Sequence, residues 1–141
     1  MTSSMGTLDI ARALQIALSR DIGVLSVLGK PPRLYDNPPE DPVFPYLTYG
    51  PMRTQDISGD EVVLKNHTLT LDIWSRYGGR AEALTILQAV YNAIENAAFD
   101  LGAVHLVRKQ ILNTDIFRAP DGQTIHGLIR LSLITDNTTV N

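Results

Sequence analysis

The sequence predicts an α+β fold: a largely antiparallel sheet of four or five strands, with an N-terminal helical arm and one long helix packed on one face. Two observations carry that expectation. In the run from His67 to Glu82, Leu69, Leu71 and Ile73 alternate with Thr68, Thr70 and Asp72, so a pleated segment gains one apolar and one polar face. That strand is followed, through the joint Gly78-Gly79, by a helical stripe of Leu84, Leu87, Tyr91, Ile94 and Ala98, with Glu82, Gln88, Asn92 and Glu95 kept off it.

The elements follow in order. Residues 1–6 read as a loose leader. A helix then starts behind Thr7 as its N-cap, with Leu8, Ala11, Leu14 and Leu18 as its stripe. A short second helix is expected from Ile22 to Leu28, capped by Asp21 and stopped by Gly29. Seven of the eight prolines fall between Pro31 and Pro51, which excludes a helix or interior strand throughout that stretch. Within it, Arg33 to Tyr35 forms a short edge, and the segment FPYLTY yields a strand that begins at or just after Pro45.

Between Gly50 and Lys65 the turn signal Ser58-Gly59-Asp60 marks a long hairpin tip of mixed charge. A second hairpin has arms from Val104 to Arg118 and Gln123 to Ile134 about the turn 119–122. Folding there sets Ile116 opposite Ile125 and Leu112 opposite Ile129. Arg108 and Gln110 then face Leu133 and Leu131, a conflict that predicts a bulge near Gln110. The polar tail from Thr135 frays. The expectation is one domain over 1–141, with 1–6 and 136–141 flexible.

Composition narrows the function. The chain of 141 residues is 44% apolar, and 12 basic residues in a net charge of -3 make no broad positive field for nucleic acid. There is no cysteine, hence no disulfide, thiolate nucleophile or cysteine zinc site. The N-terminus lacks the pattern of an export signal and no run is long enough to span a membrane, so synthesis in the cytoplasm as a soluble protein is expected.

Candidate chemistry is thin. His67, His105 and His126 fall on three different expected strands without metal-ligand spacing, so no metal or cofactor is expected. The hairpin register places Asp115 opposite His126, a carboxylate–imidazole pair without a nucleophile beside it. Gly78-Gly79-Arg80 lacks the spaced glycines and Lys-Ser/Thr of a phosphate loop. Trp74, Tyr77, Tyr46 and Tyr49 have too few basic neighbours to stack bases, and read as core or protein interface. No catalytic residue is assigned. The tip residues Arg53, Asp56, Asp60, Glu61 and Lys65 are the candidates for a contact with a partner.

The segment Phe44-Pro45-Tyr46, the run HTLTLDIWSRYGGRAEA from His67 to Ala83, and PDGQTIHGLIRL from Pro120 to Leu131 together resemble the tail terminator, or tail completion, proteins of long-tailed phages and gene transfer agents. The resemblance runs from the first helix to the last strand. It implies a homo-oligomeric ring, usually hexameric, at the head–tail junction of a virion or phage-like particle, made in the bacterial cytoplasm. Such a ring ends polymerisation of the tail tube protein, meets a head–tail connector or stopper protein, and implies no enzyme. In it the polar face of Thr68, Thr70 and Asp72 would line the channel through which DNA passes without sequence-specific binding. The alternatives are a neighbouring head–tail stopper or neck protein, and a small ligand-binding domain or enzyme with a deep pocket holding Asp115, His126 and another convergent polar group.

Overall fold

The computed structural model describes residues 4–137. In chain order they form α1 (Thr7–Arg20), α2 (Ile22–Leu28), β1 (Leu34–Tyr35), β2 (Tyr46–Asp56), β3 (Leu64–Ser75), α3 (Ala81–Asn96), β4 (His105–Arg118) and β5 (Ile125–Asp136). The five strands lie in the order β1-β2-β3-β5-β4, antiparallel throughout except for the short parallel pair β1–β2. This is the α+β architecture the sequence predicts.

β3 is the central strand and shows why. Leu69, Leu71 and Ile73 are buried beside Ile129 and Leu131 of β5, while Thr68, Thr70 and Asp72 are only half-buried on the other face. The apolar face joins one core with α1, α2 and α3. Burying each of these large aliphatic side chains contributes about 1.5–3 kcal/mol relative to exposure.

Several local expectations hold. Asp21 Oδ1 accepts from the Val24 amide at 2.9 Å, and the Gly29 amide donates to the Leu25 carbonyl, so α2 is capped at both ends. β2 starts at Tyr46, directly after Pro45, and Arg33 Nε donates to the Pro45 carbonyl at 2.7 Å to hold the proline-rich loop to it.

Others are corrected. The α1 N-cap is Gly6, not Thr7: Gly6 adopts a left-handed φ of 89°, its carbonyl accepts from the Ile10 amide, and the Thr7 hydroxyl instead bonds Thr54 at 2.7 Å. The buried stripe of α1 is Ile10, Leu14 and Leu18, with Leu8 exposed. On α3 the buried side runs through Ala83, Ile86, Leu87, Val90, Ala93 and Ile94, leaving Leu84 and Tyr91 outside. Counting large side chains mis-centres that stripe, because close approach of helix to sheet favours the small Ala83 and Ala93.

The leader and tail are also less loose than expected where they are described. Ser4 Oγ donates to Asp9, the Asn137 side chain donates to the Ser4 carbonyl at 3.1 Å, and β5 continues to Asp136. The remaining positions of both, 1–3 and 138–141, lie outside the described residues.

The second hairpin has the expected arms in a different register. Ile116 pairs with Gly127 and Arg118 with Ile125, so the loop has six residues, 119–124, rather than four. The cause is Asp121, whose carboxylate accepts from the Gln123 and Thr124 amides and the Thr124 hydroxyl and draws both residues into the turn. The expected bulge near Gln110 occurs on both sides of it, at Leu106/Arg108 and at Ile111/Asn113. It turns Lys109 toward α3, where its amino group donates to the Glu95 and Ala97 carbonyls at 3.2 and 2.8 Å and caps a helix end with no basic residue of its own.

Candidate assembly surfaces

The β2–β3 hairpin is more strand and less loop than its turn residues suggest. β2 runs on to Asp56, opposite Lys65, across an irregularity at Gly50-Pro51 that absorbs the proline. Gly50 is needed there, since a Cβ would stand 2.9 Å from both the Thr70 carbonyl and Asp72 Oδ2. Of the predicted contact residues, Asp60 and Glu61 therefore sit in the tip, whereas Arg53, Asp56 and Lys65 are carried on strands.

The tip itself, residues 57–63, is ordered by its own bonds and extends past the rung Leu64–Asp136. Asp56 Oδ1 accepts from the Ser58 amide, and the hydrogen bonds to Ser58 hold the Asp56 carboxyl below its usual range. Ser58 Oγ bonds the amide and carbonyl of Leu64, and Asn137 donates its amide to the Val63 carbonyl. Glu61 takes a left-handed φ of 68° to close the turn. Beside the exposed Asp60 and Glu61, this ordered frame presents apolar side chains: Ile57, Val62 and Val63 are 44%, 40% and 43% exposed. In the sequence the tip is marked by its charges, and the Val62-Val63 pair beside a turn is the signal for its apolar surface.

The face of the sheet away from the helices carries Thr68, Thr70 and Asp72, as predicted, with cross-strand neighbours Arg53, Ser132, Arg130, Thr48 and Leu128. Arg130 lies 3.5 Å from Asp115. At one end of that face Tyr46, Trp74, His126 and Phe117 form an aromatic row across β2, β3, β5 and β4, with Trp74 and His126 stacked at 4.0 Å. Asp72 belongs partly to this row, because its Oδ1 holds His126 Nε2 at 2.7 Å with both side chains only 17% exposed.

That contact corrects the expected Asp115–His126 pair. In the true register Asp115 faces Leu128, and His126 faces Trp74 and Phe117 across its two neighbouring strands. The three histidines stay apart: His67 lies in the core, with Nδ1 3.0 Å from Thr54 Oγ1 and Nε2 2.9 Å from Thr135 Oγ1, and its burial lowers its pKa. Among the described residues no three acidic or histidine side chains gather into a metal site.

The strand-to-helix joint works as a clasp. Ser75 Oγ donates to Glu82 in the first turn of α3, and Arg76 bonds Thr124 at 3.0 Å, Asp121 at 3.5 Å and the face of the Phe44 ring at 4.4 Å. Gly78 has φ 99°, while Gly79 does not take a positive φ. Tyr46 is buried, Trp74 donates from its indole to Thr48 Oγ1, and Tyr77 is exposed.

A cavity of about 400 Å³ lies between α1 and the β2 irregularity, lined by Ala11, Leu14, Ile16, Met52, Leu69 and Leu71. Tyr49 stands at its rim bonded to Gln15, its phenol pushed up mainly by burial. Arg12, Asp36 and Thr70 also line it, but neither Asp115 nor His126 does, so it is not the pocket about those two residues that the small-ligand alternative names.

Over residues 12–136 the chain matches the family model described as Tail completion protein gp17. Among solved structures it is similar to a chain in the virion of a native gene transfer agent particle, at 21% identity and a TM-score of 0.79, covering 89% of this chain and 92% of that one. It is also similar to the gp17 protein of bacteriophage SPP1, at 20% identity and a TM-score of 0.66, covering 97% and 96%. No curated protein matches it. At these identities the structural likeness is one of fold.

Proposed function

Given that this chain belongs to the tail completion protein gp17 family, a family of structural phage tail proteins, we propose that it forms a ring, hexameric, at the head-proximal end of the tail tube. There it ends tube polymerisation and joins tail to head through a connector or stopper protein. Each copy contributes the whole 141-residue chain as one domain, and the reading assigns it no catalytic step.

The observation that carries the proposal is the β2–β3 tip. Solvent alone does not favour three exposed β-branched apolar side chains held on a hydrogen-bonded frame, whereas a protein contact does. Asp56, Asp60 and Glu61, with Arg53 and Lys65, would form the charged rim of that contact.

The polar face of the sheet lines the channel in this proposal, with Thr68 and Thr70 at its middle. Arginines on such a wall would hold phosphate in a salt-dependent way. Of those on this face, Arg130 is offset by Asp115. Thr68→Lys with Thr70→Lys, leaving Asp72 in place to hold His126, should permit assembly yet impair DNA delivery, with partial recovery at high salt. Normal delivery from assembled particles would remove the lumen assignment.

Electron microscopy of particles made without the chain tests the role itself. Overlong tails lacking heads are the expected result. Tails of normal length lacking heads would assign it to joining alone, as for a stopper protein.

A further inference from the structure

Among the described residues the sheet ends in open backbone at both margins. There β4 is the last strand in the order, so one side of its 14 residues has no described strand beside it, and no described strand covers β2 beyond the two residues that β1 pairs with, from Met52 to Asp56. Exposed edges of this length invite pairing with another chain.

The two margins differ in ways that make them fit each other. Besides Lys109, which is turned toward α3, β4 carries Arg108 and Arg118 against a single acid, Asp115, while residues 51–63 carry Asp56, Asp60 and Glu61 against Arg53 alone. β4 also leaves Val107 and Leu112 out of its ladder at the two bulges, 57% and 48% exposed. Beside the β2 margin lies the apolar cavity of about 400 Å³, with Met52 in its lining.

Direction and level agree as well. Three successive antiparallel pairings, β2–β3, β3–β5 and β5–β4, make β2 and β4 run in opposite directions. Their rungs connect Met52 through Leu69 and Leu131 to Ile111, next to Leu112. They also connect Gln55 through Asn66 and Ile134 to Arg108. A rotation about an axis roughly along the strands would therefore set the β4 of one copy antiparallel to the β2 of the next. Leu112 would then stand level with Met52, and Arg108 beside Gln55 and Asp56.

We propose that the free margin of β4 pairs antiparallel with the free Met52–Asp56 margin of β2 in a second copy, with Leu112 seated in the cavity beside Met52. The contact is head-to-tail; with a rotation between copies that is a whole fraction of a turn and no rise, it closes into the ring proposed above and joins the sheets edge to edge around it. This rests on the ring proposed above and names the surfaces that build it.

The chain has no cysteine, so engineered cysteines report the contact without background. The oligomeric state of the unmodified chain, free and on purified tail tubes, is measured first. In the double variant Met52→Cys, Leu112→Cys, mild oxidation should then give a ladder of cross-linked chains that ends at the ring number, whereas each single variant should give almost none. Leu112→Glu should reduce the assembled fraction at least about tenfold, with unchanged circular dichroism and thermal unfolding. Rings that persist without cross-links, or efficient dimers from Leu112→Cys alone, would overturn the edge pairing and leave the ring standing. A chain that stays monomeric even on tubes would overturn both.

Discussion

At the end of the β4–β5 hairpin, Asp121 accepts three hydrogen bonds from Gln123 and Thr124, and Arg118 donates to the Gly122 carbonyl, so residues 119–124 spend their polar groups on one another. At the end of the β2–β3 hairpin, Ser58 and Asn137 fasten the backbone just as firmly, but Ile57, Val62 and Val63 remain in the open. Order alone therefore does not separate a structural turn from a contact. The separation lies in what the ordered frame displays: the first is clasped by Arg76 to the strand–helix joint and shows polar groups, and the second displays apolar surface past the end of the sheet.

The largest effect is expected where that contrast is broken directly. Replacing Ile57, Val62 and Val63 together by Ser should abolish attachment to tail tubes in a pull-down, while unfolding in denaturant changes little, since exposed substitutions of this kind usually alter stability within about 0.5 kcal/mol each. A matched change in the other loop, Gln123→Ser, should leave attachment intact.

A smaller effect concerns the joint behind the β4–β5 turn. Gly78→Val forces a β-branched residue into a left-handed φ of 99° and should cost about 1–3 kcal/mol in denaturant unfolding. Gly79→Val, with no positive φ and open space around it, should cost much less. Equal losses would show that the left-handed φ at Gly78 is not what sets the cost.

The smallest is a pH effect on the clasped turn. The bonds from Thr124 and Gln123 hold the Asp121 carboxyl down to about 2 from 3.8. A carboxyl depressed in the folded state contributes stability that is present above its unfolded value and lost as pH falls through the folded one. Thermal unfolding followed from pH 5 to pH 2 should therefore fall less steeply in Asp121→Asn than in the unmodified chain, with the difference concentrated below pH 4. Parallel curves would mean that the carboxylate is not what closes the turn.

Much of the fold was legible because it rests on local rules. The alternation of Leu69, Leu71 and Ile73 identified the central strand, Asp21 and Gly29 bounded α2, and Pro45 marked the start of β2. What was not legible depends on register. Two residues of error in the β4–β5 loop replaced the Asp72–His126 contact by a false Asp115–His126 pair. No local pattern announces that Lys109 of β4 caps α3, because the partners meet only after the bulges turn it inward. The polar face of Thr68, Thr70 and Asp72 was readable as a face, but Asp72's commitment to His126 was not.

Tube growth in the presence of this chain shows whether it ends polymerisation. Purified tail tubes are incubated with the chain or with the Ile57→Ser, Val62→Ser, Val63→Ser variant, fresh tube protein is added, and tube lengths are measured by electron microscopy. Tubes should stay at their starting length with the unmodified chain, which sits as a ring at one end, and lengthen from that end with the variant. Tubes that lengthen equally in both, or a chain bound along the tube wall instead of its end, would contradict a role in ending polymerisation.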